Sequence, residues 1–168
     1  SGDLQGNLWK FDFGEGLSAS NISNNKITKV VSGVRKPLFT ATDGTNRQPI
    51  TISPLITTAM QKGVMVIFGT GKFMEQSDST SSGTQAIYGV WDNGGTASTD
   101  YSLDRTKLQQ QTATEGTSAI TIASTGFTLG TDTGEKRGWY FNLPSARERI
   151  AVEGAQGLAS IAIPSTIP

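Results

Sequence analysis

Gly69-Thr70-Gly71-Lys72 is the stretch that most invites a chemical reading, because a glycine turn ending in lysine can cradle phosphate. A phosphate loop needs a glycine five positions before its second glycine and a hydroxyl residue after the lysine. Val66 and Phe73 stand there instead, so the stretch reads as a tight turn after a strand. Calcium loops need oxygen ligands at alternating positions and a closing bidentate acid. Asp92-Asn93-Gly94 and Asp132-Thr133-Gly134 lack both the spacing and the terminal glutamate, and read as turns. The sequence contains no histidine and no cysteine. That removes His-dependent triads, thiolate metal sites and any disulfide framework. Catalysis would then fall on paired carboxylates, as in glycosidases. Asp3, Asp12, Asp43, Asp92 and Glu148 are scattered, and nothing in the sequence pairs them. The densest charges, Asp104-Arg105 and Arg147-Glu148-Arg149, read as solvated surface. Trp9, Trp91 and Trp139 can form a sugar platform in principle, but each sits in a strand pattern and reads as packing. Asn21-Ile22-Ser23 matches a glycosylation acceptor, a match of low specificity. Arg137-Gly138-Trp139 lacks the acid of an integrin-binding triplet. No catalytic, cofactor-binding or metal-ligating residue is assigned.

The elements that must position these residues are strands. Asn7-Leu8-Trp9-Lys10-Phe11-Asp12-Phe13 alternates at period two, which predicts a half-buried strand with Trp9, Phe11 and Phe13 on one face. Turn chemistry in Gly2–Asn7 predicts a hairpin leading into it. Residues 26–31 alternate again. Pro37–Ala41 is short and apolar, and 42–46 is an Asp-Gly turn. Gln48–Thr58 reads as extended, with Pro49 and Pro54 against a regular central ladder. Gly63–Gly69 reads as a fully buried strand, and Gln85–Asp92 as another. Residues 76–83 read as solvated and Ser-rich. One short helix is expected near 104–111, starting at Asp104. Ala119–Ala123, Trp139–Pro144, Arg149–Val152 and Leu158–Ile163 complete the strands. The expected class is all-β. A propeller blade takes about 40–45 residues, so 168 residues suit an arc of roughly three to four blades. The 14 basic and 14 acidic residues cancel, which argues against a nucleic-acid groove. No apolar run approaches the roughly eighteen residues of a membrane helix.

Gly2-Asp3-Leu4-Gln5-Gly6-Asn7-Leu8-Trp9-Lys10-Phe11-Asp12 resembles a signature of the PilC/PilY family of type IV pilus proteins. The pieces that follow keep that family's order: Pro37–Ala41, Gln48-Pro49-Ile50-Thr51, Val66–Phe73, Tyr88–Asp92, Gly138–Pro144 and Ile163-Pro164-Ser165. The resemblance implies that residues 1–168 are one segment of a C-terminal β-propeller, cut at both ends. It implies a non-enzymatic factor at the bacterial surface or outer membrane. Such a factor promotes pilus assembly by opposing retraction, and attaches the cell. Pilins, minor pilins and the host-cell surface are the implied partners. The family's calcium loop would lie upstream of Ser1, so calcium is expected in the full-length protein and its ligands fall on no residue here. Trp9, Phe11, Trp91 and Trp139 are the expected blade-packing aromatics. Two alternatives stay open: a quinoprotein-dehydrogenase-like propeller enzyme, which shares Gly-x-Leu-Trp strands, and a purely structural outer-membrane scaffold. An arc exposes faces and edges built for burial, so the isolated segment is expected to self-associate.

Overall fold

Alternation along Val64–Gly69 puts Val64, Val66 and Phe68 on one side of a strand and Met65 and Ile67 on the other. Both sides are apolar, so the strand must be covered on both faces. The structure is a computed structural model, and it describes residues 1–13, 28–116, 120–157 and 160–168. Thirteen strands occur among them. They are β1 (Asn7–Leu8), β2 (Val30–Val31), β3 (Val34–Arg35), β4 (Phe39–Thr40), β5 (Leu55–Thr58), β6 (Val64–Gly69) and β7 (Ala86–Asp92). Next come β8 (Gln109–Gln110), β9 (Thr112–Glu115), β10 (Ile120–Ala123), β11 (Gly138–Asn142), β12 (Ala155–Gln156) and β13 (Ile161–Ala162).

Strands β5, β6, β7 and β11 form an antiparallel four-stranded sheet, and β8 adds a short parallel strand beside β11. This is a blade-sized unit. The other strands make four two-stranded sheets, β1–β4, β2–β3, β9–β10 and β12–β13. The class is all-β, and these open sheets fit a partial propeller. On one face of the blade, Val66, Phe68, Tyr88, Val90 and Tyr140 pack against Leu8, Leu38, Phe39, Ile50 and Leu103. On the other, Ile67 and Ile87 pack with Ile52, Leu143 and Ile150, flanked by Met65, Trp139 and Phe141.

Several expectations change in the structure. The strand expected over residues 7–13 pairs only at Asn7–Leu8, because its partner β4 is two residues long. Leu8, not the Trp9/Phe11/Phe13 face, enters the core; Phe11 is 47% exposed and Phe13 55%. Phe11 is therefore not a blade-packing residue. The helix expected at 104–111 is a single 3-10 turn, Arg105–Lys107, with the Asp104 side chain accepting from Thr106 N. Leu108 is buried and the chain returns at once to strand β8. Arg149–Val152 is not a strand; Arg149 makes one isolated bridge to Thr166. Residues 26 and 27 of the expected 26–31 strand, Ala119, Leu158 and the Asn21 sequon lie outside the described residues.

The charged run Arg147-Glu148-Arg149 is not solvated surface, since Glu148 and Arg149 are both 4% exposed. Arg149 Nη1 donates to the carbonyls of Lys72 at 2.9 Å and Asp78 at 2.6 Å. Its Nη2 donates to Ser81 at 2.9 Å and its Nε to Arg147 at 3.0 Å. One planar guanidinium thus closes the loop that follows β6. Arg149→Met leaves these carbonyls without their donor and should cost about 3 kcal/mol or more. Arg149→Lys should recover only part of it, because one ammonium cannot span the same fan of acceptors. Urea midpoints of the two variants check this; equal midpoints for Lys and Arg would refute the account.

In the same loop the solvated reading of 76–83 holds for Gln76, Ser77 and Thr80–Gly83, which are exposed, but not for Asp78. Gln76–Thr80 is a 3-10 turn with Asp78 buried in it. The Asp78 carboxylate accepts the Met74 N–H at 2.9 Å and the Glu75 N–H at 3.0 Å, and pairs with Lys72 Nζ at 3.0 Å. The Met74 amide first, then the Lys72 ammonium, hold its pKa down at about 2, against 3.8 for the free side chain. A carboxyl with a depressed native pKa adds stability that is complete above the unfolded value and lost as pH falls through the native one. Stability should therefore decline between about pH 4 and 2 in part through Asp78. Asp78→Asn should flatten that part of the acid-unfolding curve followed by circular dichroism.

Candidate binding face

The residues that alternate onto the second face of the blade also line a concavity. Met65 from β6 and Trp139 and Phe141 from β11 form the floor of a groove of about 850 Å³. The turn after β5, including Met60, makes one wall, and Ile122 with Phe127 makes the other. The floor is well fixed. Trp139 and Phe141 stack in parallel, with ring centroids 6.1 Å apart and planes 4° apart. The indole lies across Gly89 of β7, where a Cβ would come within 2.5 Å of its ring. The rim is free: Met60 is fully solvent-exposed, and Ile122 and Phe127 are more than a third exposed. An apolar floor with an exposed apolar rim suits contact with another apolar surface.

The open edge beside this groove is β5. Its outer side carries no ladder partner among the described residues. Leu55-Ile56-Thr57-Thr58-Ala59-Met60 contains no charge, and Ile56 is 60% exposed. Such an edge lacks the Lys, Pro or bulge that usually blocks strand addition.

The residues singled out in the sequence lie in separate settings. Trp9 is half-buried, and its Nε1 donates to Asp3 Oδ2 at 2.8 Å. Asp3 also accepts from the backbone of Gln5 and Asn7, so it organises the Gly2–Asn7 turn. Burial alone would raise the Asp3 pKa, but the Trp9 and Asn7 hydrogen bonds outweigh it and lower it. Trp91 is 5% exposed and donates Nε1 to the Lys62 carbonyl at 2.9 Å. Of the three tryptophans, Trp139 alone lines the groove. The three do not form a shared platform.

Gly69-Thr70-Gly71-Lys72 is not the expected tight turn: Gly69 ends β6 and Gly71 bridges Ile50, so the stretch runs on extended and holds no phosphate cradle. Gly71 N donates to the Pro49 carbonyl, Thr70 N to the Ala86 carbonyl, and the Lys72 ammonium is spent on Glu75 and Asp78. Asp92 pairs with Lys10 Nζ at 2.8 Å, and Asp132 sits in a turn whose amide is bonded by Glu135. No group of metal-ligating side chains occurs among the described residues. Sequence reasoning missed the groove because its walls come from segments joined only by the fold. The uncharged run 55–60 was the one available signal.

Residues 1–126 match the model of the PilY1 beta-propeller domain. A type IV pilus biogenesis factor PilY1 from Pseudomonas aeruginosa PAO1 is 35% identical over 88% of this chain. A PilY1 homolog from Xylella fastidiosa is 30% identical over 88% of this chain. The chain spans 14% of the length of the former and 10% of the latter. No solved structure matches.

Proposed function

The chain belongs to the PilY1 family, and from that premise we propose that it is a non-enzymatic binding segment of a type IV pilus biogenesis factor at the bacterial surface. Identity over most of the chain to relatives named as biogenesis factors is the observation that carries this reading. On this reading the protein promotes pilus assembly by opposing retraction, and attaches the cell to a host surface. Its contacts are with pilins or minor pilins, and the groove floored by Met65, Trp139 and Phe141 is the contact face. Calcium, if the full-length protein uses it, is held outside these residues.

The test is a count of surface pili on the parent bacterium carrying Met60→Lys with Phe127→Glu, with and without the retraction motor. Both side chains line the groove rim, so the fold should persist. Pili should be lost and should return when retraction is blocked. Normal pili and normal attachment would overturn the proposal. Pili that are normal with attachment lost would leave adhesion as the role and remove assembly.

Self-association of the isolated chain belongs to the same reading. The uncharged β5 edge should pair with β5 of a second copy, as sheet edges do in isologous dimers. Light scattering should show dimers or larger species that Ile56→Lys reduces to monomer. A monomer at high concentration before any substitution would refute it.

A further inference from the structure

The sequence has three methionines and no cysteine, so the thioethers are the first targets of a peroxide. The three stand in different settings. Met60 is fully exposed and Met74 is 68% exposed. Met65 is half-buried and packs against the second core face. Oxidation of a thioether follows its exposure, so Met60 and Met74 should react first and Met65 last. Only one of the two exposed sulfurs is at the groove. Met60 lines it, whereas Met74 lies on the loop after β6 and lines no part of it.

The turn that carries Met60 is held on both sides. Gln61 Nε2 donates to the Leu129 carbonyl at 2.7 Å, which ties this wall of the groove to the opposite one. The Lys62 carbonyl accepts from Trp91 Nε1 at 2.9 Å. A Cβ on Gly63 would stand 2.1 Å from the Asp92 carbonyl oxygen, so the turn lies tight against the end of β7. Met60 is thus fixed at the rim with its side chain in solvent. The groove also depends on apolar contact alone. No charged side chain lines it. Its two amide side chains are already spent, Gln61 on Leu129 and Gln111 on the backbone N–H and carbonyl of Thr125. A new polar group at the rim would find no partner waiting for it among them.

We infer that Met60 is a reversible oxidation site that switches the groove rim between apolar and polar. The inference rests on the groove being a contact face. The reagent is a peroxide. The Met60 sulfur attacks one peroxide oxygen, an S–O bond forms and the O–O bond breaks. The proton on the transferred oxygen leaves with the other oxygen as water. The sulfur is oxidised by two electrons and the peroxide is reduced by two. A methionine sulfoxide reductase restores the thioether, its dithiol becoming a disulfide and the oxygen leaving as water. The sulfoxide oxygen binds water, and an apolar partner must strip that water away to close on the rim.

Hydrogen peroxide is the oxidant for the test, and Nile red, an uncharged apolar dye, is the probe of the groove. Peptide mass spectrometry should show Met60 and Met74 oxidised about tenfold faster than Met65. After peroxide, the wild-type chain and Met74→Leu should each lose about fourfold in Nile red affinity, which is what one buried methylene is worth, and the reductase should restore it. Met60→Leu, whatever its starting affinity, should lose none on the same treatment. Met65 reacting as fast as Met60, or a loss that persists in Met60→Leu, would overturn the inference. So would an unchanged wild-type affinity once Met60 is fully oxidised. These three outcomes leave the contact-face reading standing. A chain that never binds Nile red would overturn both.

Discussion

Gly138→Ala should lower stability by roughly 4 kcal/mol or more, and no truncation of a neighbouring side chain should restore it. Gly138 opens β11 at φ +136°, a backbone region that side-chain-bearing residues pay for at about 1–3 kcal/mol. A Cβ there would stand 2.0 Å from the carbonyl oxygen of Gly89. That oxygen belongs to β7, the strand paired with β11 in register Gly138↔Val90 and Trp139↔Gly89. Backbone cannot step aside without separating the two strands that hold the blade together. Gly89→Ala is the contrasting case. Its Cβ would stand 2.5 Å from the Trp139 indole, a side chain that can be replaced. It should cost about 1–3 kcal/mol as overpacking, and Trp139→Leu should recover much of that. Urea unfolding of the two single and two double variants gives the comparison. Rescue of Gly138→Ala by Trp139→Leu, or a wild-type midpoint for Gly138→Ala alone, would refute the argument.

Tyr88→Ala should be comparably damaging, at about 3–5 kcal/mol. Its ring is fully buried at the centre of the first core face. It stacks on Phe68 at 5.3 Å and Tyr140 at 5.8 Å, and tilts against Phe39 at 5.1 Å. Its one hydroxyl proton is shared between the Thr42 carbonyl, 3.0 Å away, and Gln48 Oε1, and its oxygen accepts from Arg105 Nη2 at 2.7 Å. Tyr88→Phe keeps the ring and leaves those buried partners short, so about 1–3 kcal/mol should be lost. Burial pushes the Tyr88 phenol up to about 12, although the nearby Arg105 pulls the other way. A raised native pKa adds stability that is complete below the unfolded value near 10 and is lost as pH rises through about 12. An ultraviolet titration should show the Tyr88 phenolate appearing only as the chain unfolds. Its appearance near pH 10 in a folded chain would refute the burial argument.

The blade strands were legible in the sequence for a simple reason. Val64–Gly69, Ala86–Asp92 and Gly138–Asn142 carry enough apolar and β-branched residues at strand length to make their state a local property. The Gly2–Asn7 turn was legible too, since Asp3 and Gly6 act within a few residues of themselves. Family membership was carried by the order of short motifs along the chain, and the match over residues 1–126 bears it out. Burial of charge was not legible. Arg149 looks like any surface arginine until the fold brings the carbonyls of Lys72, Asp78 and Ser81, 77, 71 and 68 residues away, around it. Phe11 looked like core because alternation gives the spacing of side chains but not the length of the partner strand. The partner β4 has two residues, so Phe11 is left facing solvent. The sequence by itself thus determined that the three central blade strands extend and that Gly2–Asn7 turns, because those preferences are set by neighbours along the chain. The tertiary structure alone decided which extended faces are covered, where charges are buried and where the groove opens, because each depends on contacts between residues far apart in sequence.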